Sequence, residues 1–427
     1  MWLSVLLLAV LAACTTSSGG EQTTSATTGP AASTTVSTDP PLILGPGIEE
    51  GLIRLGAILP LSGSREALGR SVLAGHEAYW GYVNTELGGV EGFVVEVVAH
   101  DGLYQPDASA AAAESLADLT LAFSAGLGSP ITEAILPLAE REELLMATGA
   151  QISVWGAEPA LLLDLAIAAY PDQVGLGLLW LEQSEVAAPG ATVGLIHQEG
   201  LYGEDCRAGF ESALADSTFS SGPVLDHTLA QSEFTDVVTT QQAGGVEVLV
   251  LCTVPEAMLA ILATAELMGY APTVLATSQS YDPALPASLG GDAGEQAGLS
   301  RLQSLYVTGA VEAEDETSPG FLLYQDNLSR SGLEPREETW YTFWGYTQAA
   351  TMHLVLEEAF AGRDVSRSGL RAAVGRVGQV DLGFGAGPVE FDEAGVPTPV
   401  DAVGRPVAAG ERMFGLERVS DFIRLKG

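Results

Sequence analysis

Three groups of residues have types and spacings that could do chemistry. His100 stands beside Asp101, and His197 lies two positions before Glu199, arrangements that a general acid–base pair would use. Ser129 precedes Pro130 at the predicted start of a helix, as an N-cap followed by proline at the first helical position. Such a terminus offers free N–H groups and a positive dipole end, which suit a carboxylate. Arg65 lies in the loop after the first predicted strand, where a guanidinium could meet an anion or stay in solvent. Adjacent residues on a strand face opposite sides, so His100 and Asp101 make a poor dyad, and polar-loop histidines are the plainer reading. The five histidines (His76, His100, His197, His227 and His353) never fall at zinc-site spacing. No G-x-S-x-G elbow, Walker A loop or G-x-G-x-x-G fingerprint occurs, and nothing calls for a cofactor or a metal.

The elements that would position these residues begin after an unusual leader. Residues 5–13 form a short apolar run ending in Leu11-Ala12-Ala13 before Cys14. That is too short to span about 30 Å of hydrocarbon and reads as a cleaved signal. It resembles a bacterial lipoprotein signal, which makes Cys14 the lipid attachment point, although no Lys or Arg precedes the run. From Thr15 to Pro40, 14 of 26 residues are Ser or Thr, a composition that cannot offset its ordering entropy by burial. A tether over 14–51 is expected. With Cys14 acylated, Cys206 and Cys252 are left to pair in an oxidising compartment or to remain two half-buried thiols.

The 427 residues suggest more than one domain, and 47% hydrophobic composition excludes a largely disordered chain. With 55 acidic groups against 17 basic ones and a single lysine, Lys426, nucleic-acid binding is excluded. Beyond Gly51, short β-branched runs alternate with helical periodicity. Strands are predicted at 53–59, 93–100, 120–124 and 144–147, then at 191–197, 224–228, 246–252 and 273–277. Helices fall between them, near 68–83 and from 107, 130, 204, 234 and 256. Two series of βα units imply two parallel sheets covered by helices. A long helix near 341–360 and a hairpin at 380–391 follow. Ligands in such sheets bind in the loops after the strands.

Those loops carry a resemblance. Leu59-Pro60-Leu61-Ser62-Gly63 with Ala67-Leu68-Gly69 and Gly75, then Gly88-Gly89-Val90 before a strand and Asp101, resemble the first two units of type I solute-binding proteins, the leucine/isoleucine/valine-binding family of ABC transporters. Residues 124–132, 146–153, 197–203 and 234–251, and Gly387-Pro388-Val389-Glu390-Phe391-Asp392, continue the likeness over about 52–425. The resemblance implies an α/β fold of two doubly wound lobes joined by a three-crossover hinge. Lobe 1 is then 52–166 and 308–395, and lobe 2 is 167–307 and 396–427.

By the same resemblance, Ser129 is the ligand-binding serine, with Thr132 supporting the helix start. Ala150 and Ile152 stand where backbone groups and a threonine hydroxyl hold a carboxylate, and Ile152 lacks the hydroxyl. Tyr202 matches the aromatic residue before Gly203, and Leu68 matches a position that is often aromatic. Gln279 stands at the acidic residue that pairs with an ammonium, and Val254 at an aromatic position. A neutral amide gives a buried ammonium no opposing charge, so amides and small carboxylates compare with amino acids as ligands. The implied protein is a lipid-anchored, extracytoplasmic binding protein that delivers its ligand to an ABC permease. A sensor lipoprotein of the same fold and an exported α/β enzyme using His100 or His197 are the alternatives.

Overall fold

The computed structural model describes residues 40–147, 149–153, 161–163, 168–309, 317–332, 339–384, 389–398, 400–408, 411–412, 414–421 and 423–424. The signal, Cys14, most of the expected tether, the 166–167 boundary and the turn holding Gly387 and Pro388 lie outside them. The tether expected to reach Gly51 gives way earlier. Strands β1 (Ile43–Leu44) and β2 (Ile48–Glu49) already belong to the folded body, β1 pairing with residues 364–365 and β2 with the strand that follows.

Next come β3 (Leu52–Leu59), α1 (Glu66–Tyr82), β4 (Val94–Asp101) and α2 (Pro106–Ala117). They are followed by β5 (Phe123–Gly126), α3 (Ser129–Glu142), β6 (Met146–Ala147) and β7 (Leu162–Leu163). The parallel order β4-β3-β5-β6-β7, with β2 antiparallel on the start of β3, makes the first sheet. The second series runs α4 (Tyr170–Gln183), β8 (Thr192–Gln198), α5 (Leu201–Asp216), β9 (Ser220–His227) and α6 (Thr235–Ala243). It ends with β10 (Val248–Cys252), α7 (Pro255–Leu267), β11 (Thr273–Thr277), α8 (Leu285–Gly290), α9 (Glu295–Arg301) and β12 (Leu305–Thr308). All five residues of β10 are buried, as expected of a strand covered by helices on both faces.

The chain then returns to the first sheet. Helices α10 (Pro319–Ser331) and α11 (Trp340–Ala361) pack on α1, and α11 also meets β5. After them come β13 (Asp364–Val365), α12 (Arg367–Val374) and the antiparallel pair β14 (Gln379–Val380) and β15 (Val389–Glu390). The tail crosses again: after β16 (Val400–Asp401), β17 (Val403–Pro406) extends the second sheet antiparallel to β12, β18 (Leu416–Arg418) pairs antiparallel with β17, and β19 (Ile423–Arg424) pairs with β16. The chain thus changes sheets after β7, after β12 and after β15. This is the mixed α/β, two-lobed architecture that the order of the βα units implies.

Beside these crossings the backbone is tied down by side chains. Gln173 of α4 donates to the Ala168 carbonyl at 2.8 Å, and its Oε1 accepts from the Ser278 N–H at 3.4 Å. Asp401 Oδ1 accepts from the N–H groups of Gly309 and Ala402, at 2.6 and 2.7 Å. Its Oδ2 is buried without a hydrogen-bond partner, and burial pushes the carboxyl up to about 7, with the Asp172 charge adding to the rise. The native state therefore holds this proton where an unfolded aspartate, near pKa 3.9, has lost it. Stability contributed by Asp401 is then present in acid and falls as pH rises from about 4 to about 7. Asp401→Asn keeps the Oδ1 acceptor and removes the titration. Its melting temperature should gain on the wild type steadily across that window and stay level above it, as scanning calorimetry at a series of pH values would show.

Candidate functional site

In both lobes the parallel strands follow the same order, with the second strand outside the first and the third on its other side. The direction in which successive strands are added reverses between β3 and β5, and between β8 and β10, and such switch points open crevices at the carboxyl ends of strands. The loops after these four strands meet in one cleft, with about 480 Å³ of unfilled space, mouth included.

On the first lobe the wall comprises Arg65, Leu68, Tyr104, residues 127–130 and Gly149, with Tyr341 and Trp344 from the start of α11. Local chemistry sets each in place. Asp101, the last residue of β4, accepts from Leu61 N–H at 2.9 Å and Ser62 hydroxyl at 2.5 Å, fixing the loop that carries Arg65. A capping box of Thr339 and Thr342 starts α11. Close glycine contacts then set its distance from α1: a Cβ on Gly345 would meet the Val72 carbonyl at 2.0 Å, and one on Gly75 the Thr342 carbonyl at 2.1 Å. Residues three apart on a helix share a face, so Tyr341 and Trp344 line the cleft together.

Ser129 is the first residue of α3. The cap position falls to Gly128 at φ 93°, with no side-chain cap, so the expected serine cap is not formed. The Ser129 hydroxyl instead interacts with that of Tyr170, whose ring packs 4.4 Å from that of Tyr202. Thr132 donates to the Gly128 carbonyl at 3.1 Å and steadies the helix start. Ala150 and Ile152 are packed in the core and do not line the cleft; their neighbour Gly149 does, and the Gln151 side chain reaches across it.

The second lobe contributes Gln198, Tyr202, residues 253–255 and Gln279. A Cβ on Gly203 would meet the Gln198 carbonyl at 1.7 Å, so only glycine lets α5 begin this close to β8, with Tyr202 turned inward. The Tyr202 hydroxyl bonds Thr277 Oγ1 at 2.6 Å. Val254 caps α7 half-buried, and Leu68 faces it in the same cleft wall. Thus Ser129, Tyr202, Gln279, Leu68 and Val254 come together, while Ala150 and Ile152 stand behind them. Sequence reasoning missed Tyr104, Tyr170, Tyr341, Trp344 and Gln198. The one signal for them was the aromatic density of Trp340-Tyr341-Thr342-Phe343-Trp344.

Polar contacts join the lobes across the cleft. Gln279 Nε2 donates to Gln151 Oε1 at 2.7 Å. The Ser153 N–H and hydroxyl both donate to the Asp205 carboxylate, at 2.5 Å each, and Leu201 N–H donates to Glu133 at 3.3 Å. Burial pushes the carboxyls of Asp205 and Glu133 up, and the Ser153 bonds pull Asp205 partly back. Arg65 lies 3.5 Å from Glu256 and stacks 4.6 Å above the Tyr104 ring, with its side chain 13% exposed. Among the described residues lining the cleft, Arg65 is the one charged side chain, and none is acidic.

The histidines are committed elsewhere. His100 bonds Ser115 at 3.0 Å, away from the bonds made by Asp101. His197 Nδ1 faces the Gln198 carbonyl at 3.0 Å, and His227 Nε2 bonds Thr253 Oγ1 at 2.8 Å. None of the five lines the cleft. Among the described residues no metal-binding group of three or more side chains gathers, and no helix is long and apolar enough to cross a membrane. Cys206 of α5 and Cys252 at the end of β10 are joined as a disulfide, with Cα atoms 6.4 Å apart.

The description "Periplasmic binding protein" belongs to the family model that matches residues 52–398. No curated protein matches the chain. Among solved structures, the fatty acid ABC transporter substrate-binding protein of Thermomonospora curvata superposes with a TM-score of 0.78 at 22% identity, covering 90% of this chain and 95% of that one. A branched-chain amino acid ABC transporter protein of Thermus thermophilus with bound valine gives 0.74 at 17%, covering 89% and 97%. An R. palustris ABC transporter solute-binding protein in complex with 4-hydroxybenzoate gives 0.72 at 17%, covering 87% and 97%.

The disulfide closes a sequence separation of 46 residues and ties the helix bearing Tyr202 to β10, an inner strand of the second sheet. Replacing both cysteines by alanine should lower unfolding free energy by up to about 4 kcal/mol on the loop-entropy model. Urea denaturation of the oxidised wild type against the double variant measures this.

Proposed function

Since the chain belongs to the periplasmic binding protein family, we propose that it captures a small organic anion with an apolar or aromatic body. It works outside the cytoplasm, does no chemistry on its ligand and delivers it to an ABC transporter. One observation carries the choice of ligand: the described cleft wall holds a single cation, Arg65, and no carboxylate. A guanidinium shielded from water on one side by Tyr104 attracts a carboxylate strongly, whereas a buried ammonium would have no opposing charge. Tyr104, Tyr170, Tyr341, Trp344, Leu68 and Val254 supply the apolar surface that binding would bury. Of the structures named above, two are described by carboxylates without an amine and one by an amino acid; the composition of this cleft sides with the former.

Capture proceeds by lobe closure. The ligand contributes by binding the closed form better than the open one, and only that difference moves the equilibrium. The lobes are 52–166 with 308–395, and 167–307 with 396–427. Within the family the order of the loop motifs is that of the leucine/isoleucine/valine-binding branch, and the chain is its lipoprotein form. Cys14 carries the lipid, and the Ser/Thr-rich segment behind it has a reach on the order of 30 Å, enough to hold the lobes off the membrane.

Calorimetric titration should detect binding of medium-chain or aromatic carboxylates and none of leucine or valine. Arg65→Gln should weaken the carboxylate at least tenfold without lowering the melting temperature of the free protein. Tight leucine binding, or an Arg65→Gln variant of unchanged affinity, would overturn the assignment. In cells, the full chain should partition with membranes, and Cys14→Ser should move it to the soluble fraction, as immunoblotting after fractionation would record.

A further inference from the structure

The cleft contains polar atoms that a carboxylate cannot serve. Gln198, at the end of β8, is 2% exposed, and its Oε1 is buried without a hydrogen-bond partner. Gln279 Oε1, beyond β11, is in the same condition. Trp344, 3% exposed in the first turns of α11, has an unpartnered Nε1. All three residues line the cleft, two from one lobe and one from the other. Leaving buried donors and acceptors unmade is costly, and native proteins keep few of them, so three in one ligand-sized cleft point to what fills it.

The pattern survives exchange of the amide oxygen and nitrogen. Gln151 and Gln279 share one bond at 2.7 Å, which leaves Gln151 Nε2 and Gln279 Oε1 without partners. Turning both amides reverses the bond and still leaves one donor and one acceptor. The cleft therefore presents acceptors as well as donors. A carboxylate is acceptor-only and, by the reading above, is already matched to Arg65.

We propose that the ligand of this site is a hydroxy acid, an organic anion whose apolar body carries a hydroxyl group. Its carboxylate meets Arg65, and its hydroxyl gives its hydrogen to a glutamine oxygen and accepts from a glutamine amide N–H or, on the first lobe, from the Trp344 indole N–H. A site built to hydrogen-bond a hydroxyl discriminates sharply against the analogue lacking it, because its own buried groups are then left unpaired. Where the two lobes share the hydroxyl's bonding, that group would also favour the closed form. This inference rests on the organic-anion reading and narrows it.

The test uses matched pairs on the mature protein: 3-phenylpropanoate against 3-(4-hydroxyphenyl)propanoate, and hexanoate against 6-hydroxyhexanoate, by calorimetric titration. In at least one pair the hydroxylated member should bind ten times tighter or better. Trp344→Phe, which keeps an aromatic ring, and Gln279→Met, which keeps length, should each shrink that advantage, read as the ratio of affinities within a pair measured on the same variant; thermal melts confirm that each variant is folded. Equal affinity within both pairs overturns the hydroxy-acid proposal and leaves the organic-anion reading standing. Binding of neither member of either pair by the folded wild type overturns both.

Discussion

Parallel pairing at two places, β3 with β5 and β8 with β10, is the constraint on which the rest depends. A parallel sheet requires a crossover after every strand, and each crossover leaves a loop at the strand's carboxyl end. Where the direction of winding reverses, neighbouring loops part and leave a crevice. Two such crevices facing one another form a site without any strand having to be interrupted. The glycines at positions 75, 203 and 345 then bring helices close enough for their first turns to reach it. The aromatic walls are held by backbone contacts that have no room for a side-chain carbon, which gives the pocket its shape independently of what it binds.

The electrostatics of the cleft run against those of the whole chain. The protein has a formal net charge of -38, yet its described cleft wall carries a lone guanidinium and no acid. At physiological ionic strength the Debye length is about 8 Å, so surface carboxylates are largely screened from a ligand within the pocket. Arg65 is different because Tyr104 and the surrounding wall displace water from it. Glu256, on the opposite lobe and mostly exposed, pairs with the guanidinium at 3.5 Å from outside the cleft wall, where solvent weakens the pairing. The other inter-lobe bonds, through Asp205 and Glu133, lie where burial has already pushed those carboxyls up. The lobes are thus joined by the Arg65–Glu256 pair and by hydrogen bonds to residues that do not line the cleft.

Much of this was legible in the sequence because it follows from short-range rules. Alternating β-branched and helical periodicity marked eight strands of the two sheets to within a few residues but not β2, β7, β12, β17 or β18, and loop motifs named Ser129, Tyr202, Gln279, Leu68 and Val254, which line the cleft. Other features depend on contacts that only the folded chain makes. Ser129 reads as a cap from its neighbours, but the approach of Tyr170 from the other lobe engages its hydroxyl, and Gly128 takes the cap position. Ala150 and Ile152 were placed by motif, as backbone contacts, and their side chains are packed in the core.

The sequence by itself determined the two series of βα units and showed none of the catalytic motifs that act through contiguous residues. It could do so because periodicity, turn chemistry and motifs are local properties of the chain. Only the tertiary structure decided which polar groups remain unsatisfied. Gln198, Gln279 and Trp344 are separated by tens of residues and belong to different elements, and nothing in their local sequence says whether a partner will be found. That depends on the packing of two lobes, and so does the site's chemistry.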